Sequence, residues 1–396
     1  MSETKDVFIY DAARGATGRF GGGLAGVRPD DMGASILRAI VDRSPQLDPA
    51  VVDEVILGNT NGAGEENRNV ARMAVLLAGL LTSIPASTTN RLCGSGLDAV
   101  VQASRAIALG DSSIAIAGGV ESMTRAPYVL EKAAKPYQHS NPTLYSTSIG
   151  WRFPNPAMPD NWMISLGESA ELLADRFSIS RESQDEFALA SHLRADAAWK
   201  RGDFAAEVVP IPGSTLERDE SIRADASLES LARLKPAFRR NGTVTAGNSS
   251  PLNDGVSAVL LGDAAAATRL GRVPLARIAG RGLSGVDPAV FGIGPVQAAQ
   301  VALDRAGIRW SDLALVELNE AFAVQSLSCL ASWPELDPAI VNVSGGAIAL
   351  GHALGSSGSR VLTTLVHGLH RRGGGWGLAA LCIGMGQGIA VVVEVE

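Results

Sequence analysis

Residues 345–369 read GGAIALGHALGSSGSRVLTTLVHGL, a glycine-rich turn that feeds a helix, and residues 88–100, TTNRLCGSGLDAV, follow the same plan. Gly355-Ser356-Ser357-Gly358 leads off the first helix and Gly94-Ser95-Gly96 the second, at an offset of about 261 residues. The flanking elements repeat as well. A buried strand at 51–58 and a helix at 70–80 precede the earlier turn, and a buried strand at 113–120 follows its helix. Around the later turn, a strand at 312–318 and a helix at 320–333 come first, and a strand at 378–386 closes the order. Strands alternating with helices in this way predict an α/β architecture built from two copies of one βαβ-containing unit.

Residues from about 123 to 250 differ in kind. They hold three of the four tyrosines, Trp151, Trp162 and Trp199, and the proline-rich 151-WRFPNPAMPDNW-162. A charged helical run follows at 181–204, with Ser180 placed to cap it. This reads as an inserted, irregular subdomain, either a lid or cofactor-binding surface or an oligomerisation element.

Composition narrows the class of protein. At 396 residues and 46% hydrophobic the chain is long enough for two or three domains. A net charge of -7, without a Lys/Arg block, gives no reason to expect nucleic acid or an anionic membrane as partner. The polar start lacks a signal-peptide layout, and no apolar run approaches the ~20 residues of a membrane span. Cys93, Cys329 and Cys382 cannot form a paired disulfide framework and lack metal-type CxxC spacing. The expectation is a soluble, cytoplasmic enzyme with no metal.

The chemistry-bearing residues sit in the glycine-rich turns. Cys93 stands before Gly-Ser-Gly at the mouth of a helix; it is either a small buried core residue or a nucleophile whose thiolate the helix N-terminus favours. His352 is wrapped in glycines on a turn, with room to face a cavity, whereas His139, His192, His367 and His370 have polar neighbours and read as surface or helix-end residues. Cys382 ends a strand and enters 382-CIGMGQG-388, whose glycines leave backbone N–H groups free to face a ligand. Asn319, at the end of another strand, can orient water or cap the helix that follows. A thiol nucleophile, a base, an oxyanion site and a second thiol for proton transfer together suit acyl-transfer chemistry.

These blocks, with 118-GGVESMTRAP-127, 243-TVTAGNSSPLNDG-255 and 318-LNEAF-322, resemble the signature blocks of the thiolases, the acetyl-CoA acyltransferases, in the family's order along essentially the whole chain. The resemblance implies a duplicated thiolase fold, a five-layer α-β-α-β-α core. The halves would be residues 1–272, carrying the loop subdomain at about 123–250, and 273–396, assembled as a homodimer or homotetramer. It implies that Cys93 becomes acylated and that His352 takes its proton. Asn319 would hold a water in one oxyanion site, and the N–H groups of Cys93 and Gly384 would form the other. Cys382 would shuttle the proton of the acetyl-CoA α-carbon. Coenzyme A would be a co-substrate, no cofactor being permanently bound. Arg223 and Ser230 match positions near its nucleotide, and Phe238, Ala246, Ser250 and Leu252 match its pantetheine tunnel, with Phe322 of the 318–322 block also assigned to the CoA site.

Three departures stand out. Ala353 replaces the usual proline after the histidine, Ser344 replaces the usual asparagine before Gly-Gly, and Ser165-Leu166-Gly167 replaces a His-Met-Gly stretch. The last puts a short acetoacetyl-CoA pocket in doubt. The stretches 66-ENRNVARMAVLLAG-79 and 148-SIGWRFPNP-156 look more like the bacterial 3-oxoadipyl-CoA thiolases of aromatic catabolism; a general acetyl-CoA C-acyltransferase stays open beside that reading. A dicarboxylic substrate needs a cation near its acyl tail, and Arg125 and Arg152 are the candidates. A ketoacyl synthase would use two histidines where this chain has Cys382, and a non-catalytic CoA- or lipid-binding protein would have no need of all four reactive groups.

Overall fold

The structure, a computed structural model, describes residues 4–137 and 139–396. In chain order, strand β1 (Phe8–Gly15) leads to helix α1 (Pro29–Asp42), β2 (Glu54–Gly58), α2 (Val70–Leu77), β3 (Ala86–Thr89), α3 (Ser95–Leu109) and β4 (Ile114–Ser122). The inserted segment contributes a hairpin, Tyr128–Leu130 with Leu144–Ser146, then α4 (Leu166–Phe177), α5 (Arg181–Arg201) and a short helix, Leu228–Ala232. The chain returns through β5 (Asn253–Gly262) and β6 (Ala276–Gly285), then α6 (Gly294–Ala306), β7 (Leu313–Leu318), α7 (Ala323–Ala331), α8 (Leu354–Arg372), β8 (Gly375–Ile383) and β9 (Gln387–Val395).

The predicted duplication is visible in the strand pairing. β2 and β4 are parallel, β4 and β5 antiparallel, and β5 and β1 antiparallel. In the second half β7 and β8 are parallel, β8 and β9 antiparallel, and β9 and β6 antiparallel. The two sets meet where β1 pairs with β6 at Phe8↔Arg277 and Ile9↔Ala276, so one hydrogen-bonded ladder runs through both.

Side-chain alternation builds five layers. On β4, Ile114 and Ile116 face a core shared with Met32, Ile36 and Ile40 of α1 and Ala71, Ala74 and Val75 of α2. Ala115 and Ala117, one residue out of phase, face α3 and α8. β8 does the same: Leu378 and Ala380 pack on α6 and α7, while Ala379 and Leu381 join the central core. Helices α3 and α8 therefore lie buried between the two halves of the sheet, with α1/α2 and α6/α7 outside.

The glycines of the two repeated turns let those central helices touch. A Cβ on Gly358 would stand 2.3 Å from the Leu97 nitrogen, and one on Gly119 of β4 would stand 1.9 Å from the Gly355 carbonyl oxygen. Both contacts are with backbone, which has no rotamer by which to yield. In an exposed helix, Gly→Ala gains about 1 kcal/mol. Gly358→Ala should reverse that sign and destabilise by about 1–3 kcal/mol through overpacking. A melting temperature equal to or above the parent's would overturn this reading of the turn.

Some local expectations shift. Residues 51–53 precede the strand, because Asp48 caps a turn at Pro49–Val51. Ser180 caps α5 as predicted, its hydroxyl accepting from the Ser183 N–H. The inserted segment is pinned to β1 by fully buried Arg14, whose Nε lies 2.6 Å from Glu207 and Nη1 2.7 Å from Asp219. Helix α5 rests through Ala195 and Ala198 on Ala349 and Leu350, just before His352. No helix among the described residues is long and apolar enough to cross a membrane.

Candidate active site

The strands of the two halves end at one place. Asn59 and Thr60 follow β2, Glu121 lies near the end of β4, Asn319 follows β7, and Cys382 lies one residue from the end of β8. Ligand sites in α/β sheets form beyond such carboxyl ends. Here the mouths of α3 and α8 bring in Cys93 and His352.

Cys93 stands two residues before α3, in a turn fixed by Ser95. The Ser95 hydroxyl donates to the Leu92 carbonyl at 2.6 Å and accepts from the Arg91 N–H at 2.9 Å. Leu92 is held at φ 44° and Met385 at φ 63°, left-handed conformations that cost an ordinary residue energy and flank the two groups of interest. The backbone N–H groups of Gly384 and of Cys93 itself point at the Cys93 sulfur. The resemblance implies the same two N–H groups for one oxyanion site.

The thiolate expectation needs correction. Burial pushes the Cys93 thiol up to about 11, outweighing both N–H donors, and Glu121 adds to the rise. The thiol is therefore protonated at neutral pH and needs a base. Cys382 is buried beside it, its thiol pushed well up by burial and by the neighbouring Cys93 and Cys329. Cys329 donates to the Gly292 carbonyl at 3.3 Å and is raised to about 12, which marks it as packing.

The His352 ring is fixed through one nitrogen and leaves the other free. Its Nδ1 lies 2.7 Å from the Ser357 hydroxyl, whose own proton goes to the Ala353 carbonyl at 2.9 Å. Ser357 must then accept from Nδ1–H, which leaves the lone pair on Nε2. That Nε2 is buried and has no protein partner. Burial, with Arg360 nearby, lowers the imidazole to about 3, so it is neutral at working pH. Ala353 keeps φ at -75°, within the range of the proline it replaces, so the turn survives the departure.

Asn319 is anchored by its backbone N–H to Ala380 at 2.9 Å, yet both polar atoms of its fully buried side chain lack a partner. Buried amides are ordinarily satisfied, so this one is available to a water or a ligand. The helix-cap alternative fails: α7 starts at Ala323 with Phe322 as its N-cap. Asn342 organises this corner, accepting from the Leu318 N–H and donating to the Leu318 carbonyl and to Glu320. Ser344, at the second departure, is buried in the turn that follows.

A cleft of about 530 Å³ opens beside these groups, lined by Arg223, Ala246 and Leu252 together with Arg19, Phe20 and His192. Leu252 forms an isolated β-bridge with His352, so one wall of the cleft is paired with the backbone of the His352 turn. Ser250 ties the same wall to the Asn319 segment through its N–H to Ala321. Phe238 lies edge-on to Phe322 at 6.1 Å and covers Gly167, where a Cβ would meet the ring at 2.1 Å. Ser230 lies outside the cleft lining, held in a capping box with Ser227. Arg223 has no ion-pair partner among the described residues, which leaves its guanidinium for an anion.

Other groups escaped the sequence. His192 is buried, not superficial, and accepts from the Arg223 N–H at 3.2 Å. His367 is also buried and bonds to the Ala12 carbonyl across the central layer, whereas His370 is exposed. Burial lowers His192 to about 4. Glu121 accepts from Thr60 N–H and hydroxyl and from Gly355 N–H, so it links the strand end to the His352 turn; burial raises it to about 7. Ser357 and Glu121 both lie inside glycine-rich blocks, the one signal that could have drawn attention to them.

Comparison with known proteins agrees with this architecture. The family described as Thiolase, N-terminal domain matches residues 7–265, and Thiolase, C-terminal domain matches residues 272–395. The "Beta-ketoadipyl-CoA thiolase" of Pseudomonas putida is 50% identical over 98% of this chain and 99% of its own length. The "3-oxoadipyl-CoA/3-oxo-5,6-dehydrosuberyl-CoA thiolase" of Escherichia coli strain K12 is 47% identical over 98% of this chain and 99% of its own. Among solved structures, human mitochondrial 3-ketoacyl-CoA thiolase in complex with CoA superposes with a TM-score of 0.93 at 38% identity, covering 100% of this chain and 99% of that one. With a duplicated layered core, both halves matched in order and relatives near half identity along the whole length, the chain belongs to the thiolase family.

Proposed function

We propose that this thiolase cleaves 3-oxoadipyl-CoA with coenzyme A, giving acetyl-CoA and succinyl-CoA through an acyl-Cys93 intermediate. The observation that carries the mechanism is the pair of buried polar groups without protein partners, His352 Nε2 and the Asn319 side chain, at the same end of the sheet as the two neighbouring cysteines. Nε2 takes the Cys93 proton, and the sulfur attacks the 3-oxo carbon. The oxyanion formed there is held by the N–H groups of Cys93 and Gly384. The bond between C2 and C3 then breaks, leaving a four-carbon succinyl group on Cys93. Its electron pair passes to an acetyl-CoA enolate, whose oxygen is held by His352 and a water on Asn319. Cys382 protonates the α-carbon, acetyl-CoA leaves, and the thiolate of a second CoA lifts the succinyl group from Cys93. Donors fixed in advance at two developing oxyanions supply most of the stabilisation such steps need.

The CoA nucleotide is assigned to the cleft beside Arg223, and pantetheine to the wall of Phe238, Ala246, Ser250, Leu252 and Phe322. Ser230 is kept as a contact at the nucleotide end. The adipyl reading rests on the names of the two relatives above and on the Ser165-Leu166-Gly167 departure. A soluble cytoplasmic homodimer or homotetramer is part of the same proposal. Its support is the open edge strand β3 with exposed Leu76, Leu77 and Leu81 nearby, and sedimentation velocity tests it. The halves are proposed to divide near residue 272.

The test is kcat/KM for CoA-dependent cleavage of 3-oxoadipyl-CoA, acetoacetyl-CoA and uncharged 3-oxohexanoyl-CoA. A preference for 3-oxoadipyl-CoA of at least about tenfold, or about 1.4 kcal/mol, is expected. Equal or better use of the uncharged substrates would return the enzyme to general short-chain or fatty-acid metabolism.

A further inference from the structure

A succinyl group on Cys93 ends in a carboxylate. Burying that charge without a partner is costly, so the acyl pocket of a dicarboxylate thiolase needs a cation with a free face. The sequence offers two candidates, Arg125 and Arg152, and the structure separates them.

Arg125 is spoken for. Its Nε lies 2.5 Å from Glu65 Oε2 and its Nη2 2.6 Å from Glu65 Oε1, a bidentate pair, and Nη1 donates to the Ala25 carbonyl at 3.1 Å. Its charge is paired, and each of its three nitrogens already donates. Arg152 differs. Its side-chain hydrogen bond is a long one from Nη2 to Asn61 Oδ1 at 3.4 Å, and no carboxylate stands within ion-pair distance of it among the described residues. It is half-buried, so its charge is partly removed from water without compensation.

The neighbour of Arg152 in sequence, Trp151, lies beside Gly384, whose N–H faces the Cys93 sulfur. A Cβ added to Gly384 would meet Trp151 Cη2 at 3.3 Å, Leu92 Cδ1 at 3.4 Å and Leu166 Cδ2 at 3.7 Å. Trp151 thus forms an apolar wall with Leu92 and Leu166 at the residue whose N–H faces the Cys93 sulfur. The Trp151 indole N–H is held by the Ile164 carbonyl at 3.2 Å, so the wall is fixed from the far side. Arg152, the next residue, reaches back to Asn61, two residues past Asn59 at the end of β2. Asn61 is steadied by its own donation to Thr147 Oγ1 at 2.8 Å. The structure therefore offers an apolar wall beside Gly384 for the methylene groups, and the residue next to Trp151 carries a guanidinium with no ion-pair partner among the described residues.

We propose that Arg152 is the specificity-determining residue that pairs with the distal carboxylate of the substrate, oriented by Asn61. This rests on the dicarboxylate reading above. Arg152 makes no contact with the reacting atoms, so its loss should act on substrates that carry the second charge and spare those that do not.

The experiment compares 3-oxoadipyl-CoA with 3-oxohexanoyl-CoA, of equal carbon number and without the charge, in the parent enzyme, Arg152→Gln and Arg152→Lys. In Arg152→Gln, kcat/KM for 3-oxoadipyl-CoA should fall on the order of 10²-fold, mostly through KM, as expected for loss of a charged hydrogen bond. The value for 3-oxohexanoyl-CoA should stay within about threefold of the parent's, since that substrate brings no charge to the pair. Arg152→Lys should recover part of the loss, having the charge without the fork. Equal falls for both substrates, or no fall for either, would overturn the assignment of Arg152. A parent enzyme that shows no preference for 3-oxoadipyl-CoA would overturn the dicarboxylate reading itself, an outcome read before any variant is made.

Discussion

Cys93→Ala should remove CoA-dependent cleavage by a factor on the order of 10⁶, the scale seen when a covalent nucleophile is deleted from a hydrolase. The two oxyanion sites and the CoA cleft remain in that variant, but no atom is left to carry the acyl group between them. Cys382 cannot substitute, because it lies within the β8 ladder opposite Gly388 and burial holds its thiol well above the ordinary cysteine value. The change should leave the fold intact, since alanine fits a small, buried turn position whose hydrogen bonds all belong to Leu92, Ser95 and the backbone. Mass spectrometry of the peptide holding Cys93, after incubation with 3-oxoadipyl-CoA alone, should find a succinyl adduct in the parent and none in the variant. Turnover by the variant, or an adduct on Cys382 in the parent, would sink the assignment.

The second large effect is expected at His352. His352→Ala should slow acylation of Cys93 by about 10²–10⁴, the usual contribution of a positioned general base. The loss should be large because burial holds the Cys93 thiol at about 11, so little thiolate forms without proton transfer. The pH dependence follows from the same burial. With the imidazole lowered to about 3, the base form is already present at pH 5, and the acylation rate of the parent should show no descending limb near the ordinary histidine value of about 6.5. A limb there would mean that the free imidazole takes up a proton at that pH.

Stability carries the complementary sign. Between about 3 and 6.5 the unfolded chain binds a proton at His352 that the folded chain refuses, so stability is full above that window and falls as pH drops through it. His192, lowered to about 4, acts in the same direction over a narrower range. Glu121, raised to about 7, acts oppositely, being protonated in the fold where the unfolded chain is not. Both are common to parent and variant. The fall in melting temperature from pH 7 to pH 5 should therefore be smaller in His352→Ala than in the parent; an equal fall would contradict a neutral, buried His352.

The residues that carry most chemistry were legible because glycine marks them. Cys93 and His352 sit in turns, and Cys382 just before one, where backbone must approach backbone, and the contacts of Gly119 with Gly355 and of Gly358 with Leu97 give the physical reason. Duplication was legible because side-chain periodicity is local: strands β4 and β8 each send alternate residues to opposite cores, a property readable within a few residues of chain. The Ser180 cap is local in the same sense.

Burial and pairing depend on partners far along the chain, and there the sequence was silent or misleading. His367 meets Ala12 and His192 meets the Arg223 segment, so two histidines with polar neighbours lie inside the protein. Glu320 looked like the start of a helix, but it is buried against Ser191, Asn342 and Ile348, which delays the helix and leaves the Asn319 amide bare. A helix mouth beside Cys93 suggested a thiolate, and enclosure by both halves keeps the thiol protonated. Arg125 and Arg152 were equivalent cations until Glu65 claimed one of them. By itself the sequence determined the order of elements and the duplication and singled out the candidate reacting groups, because these rest on local periodicity and residue type. Only the tertiary structure decided protonation, which polar groups remain unpartnered and which arginine is free, because each depends on desolvation and pairing by residues distant in sequence.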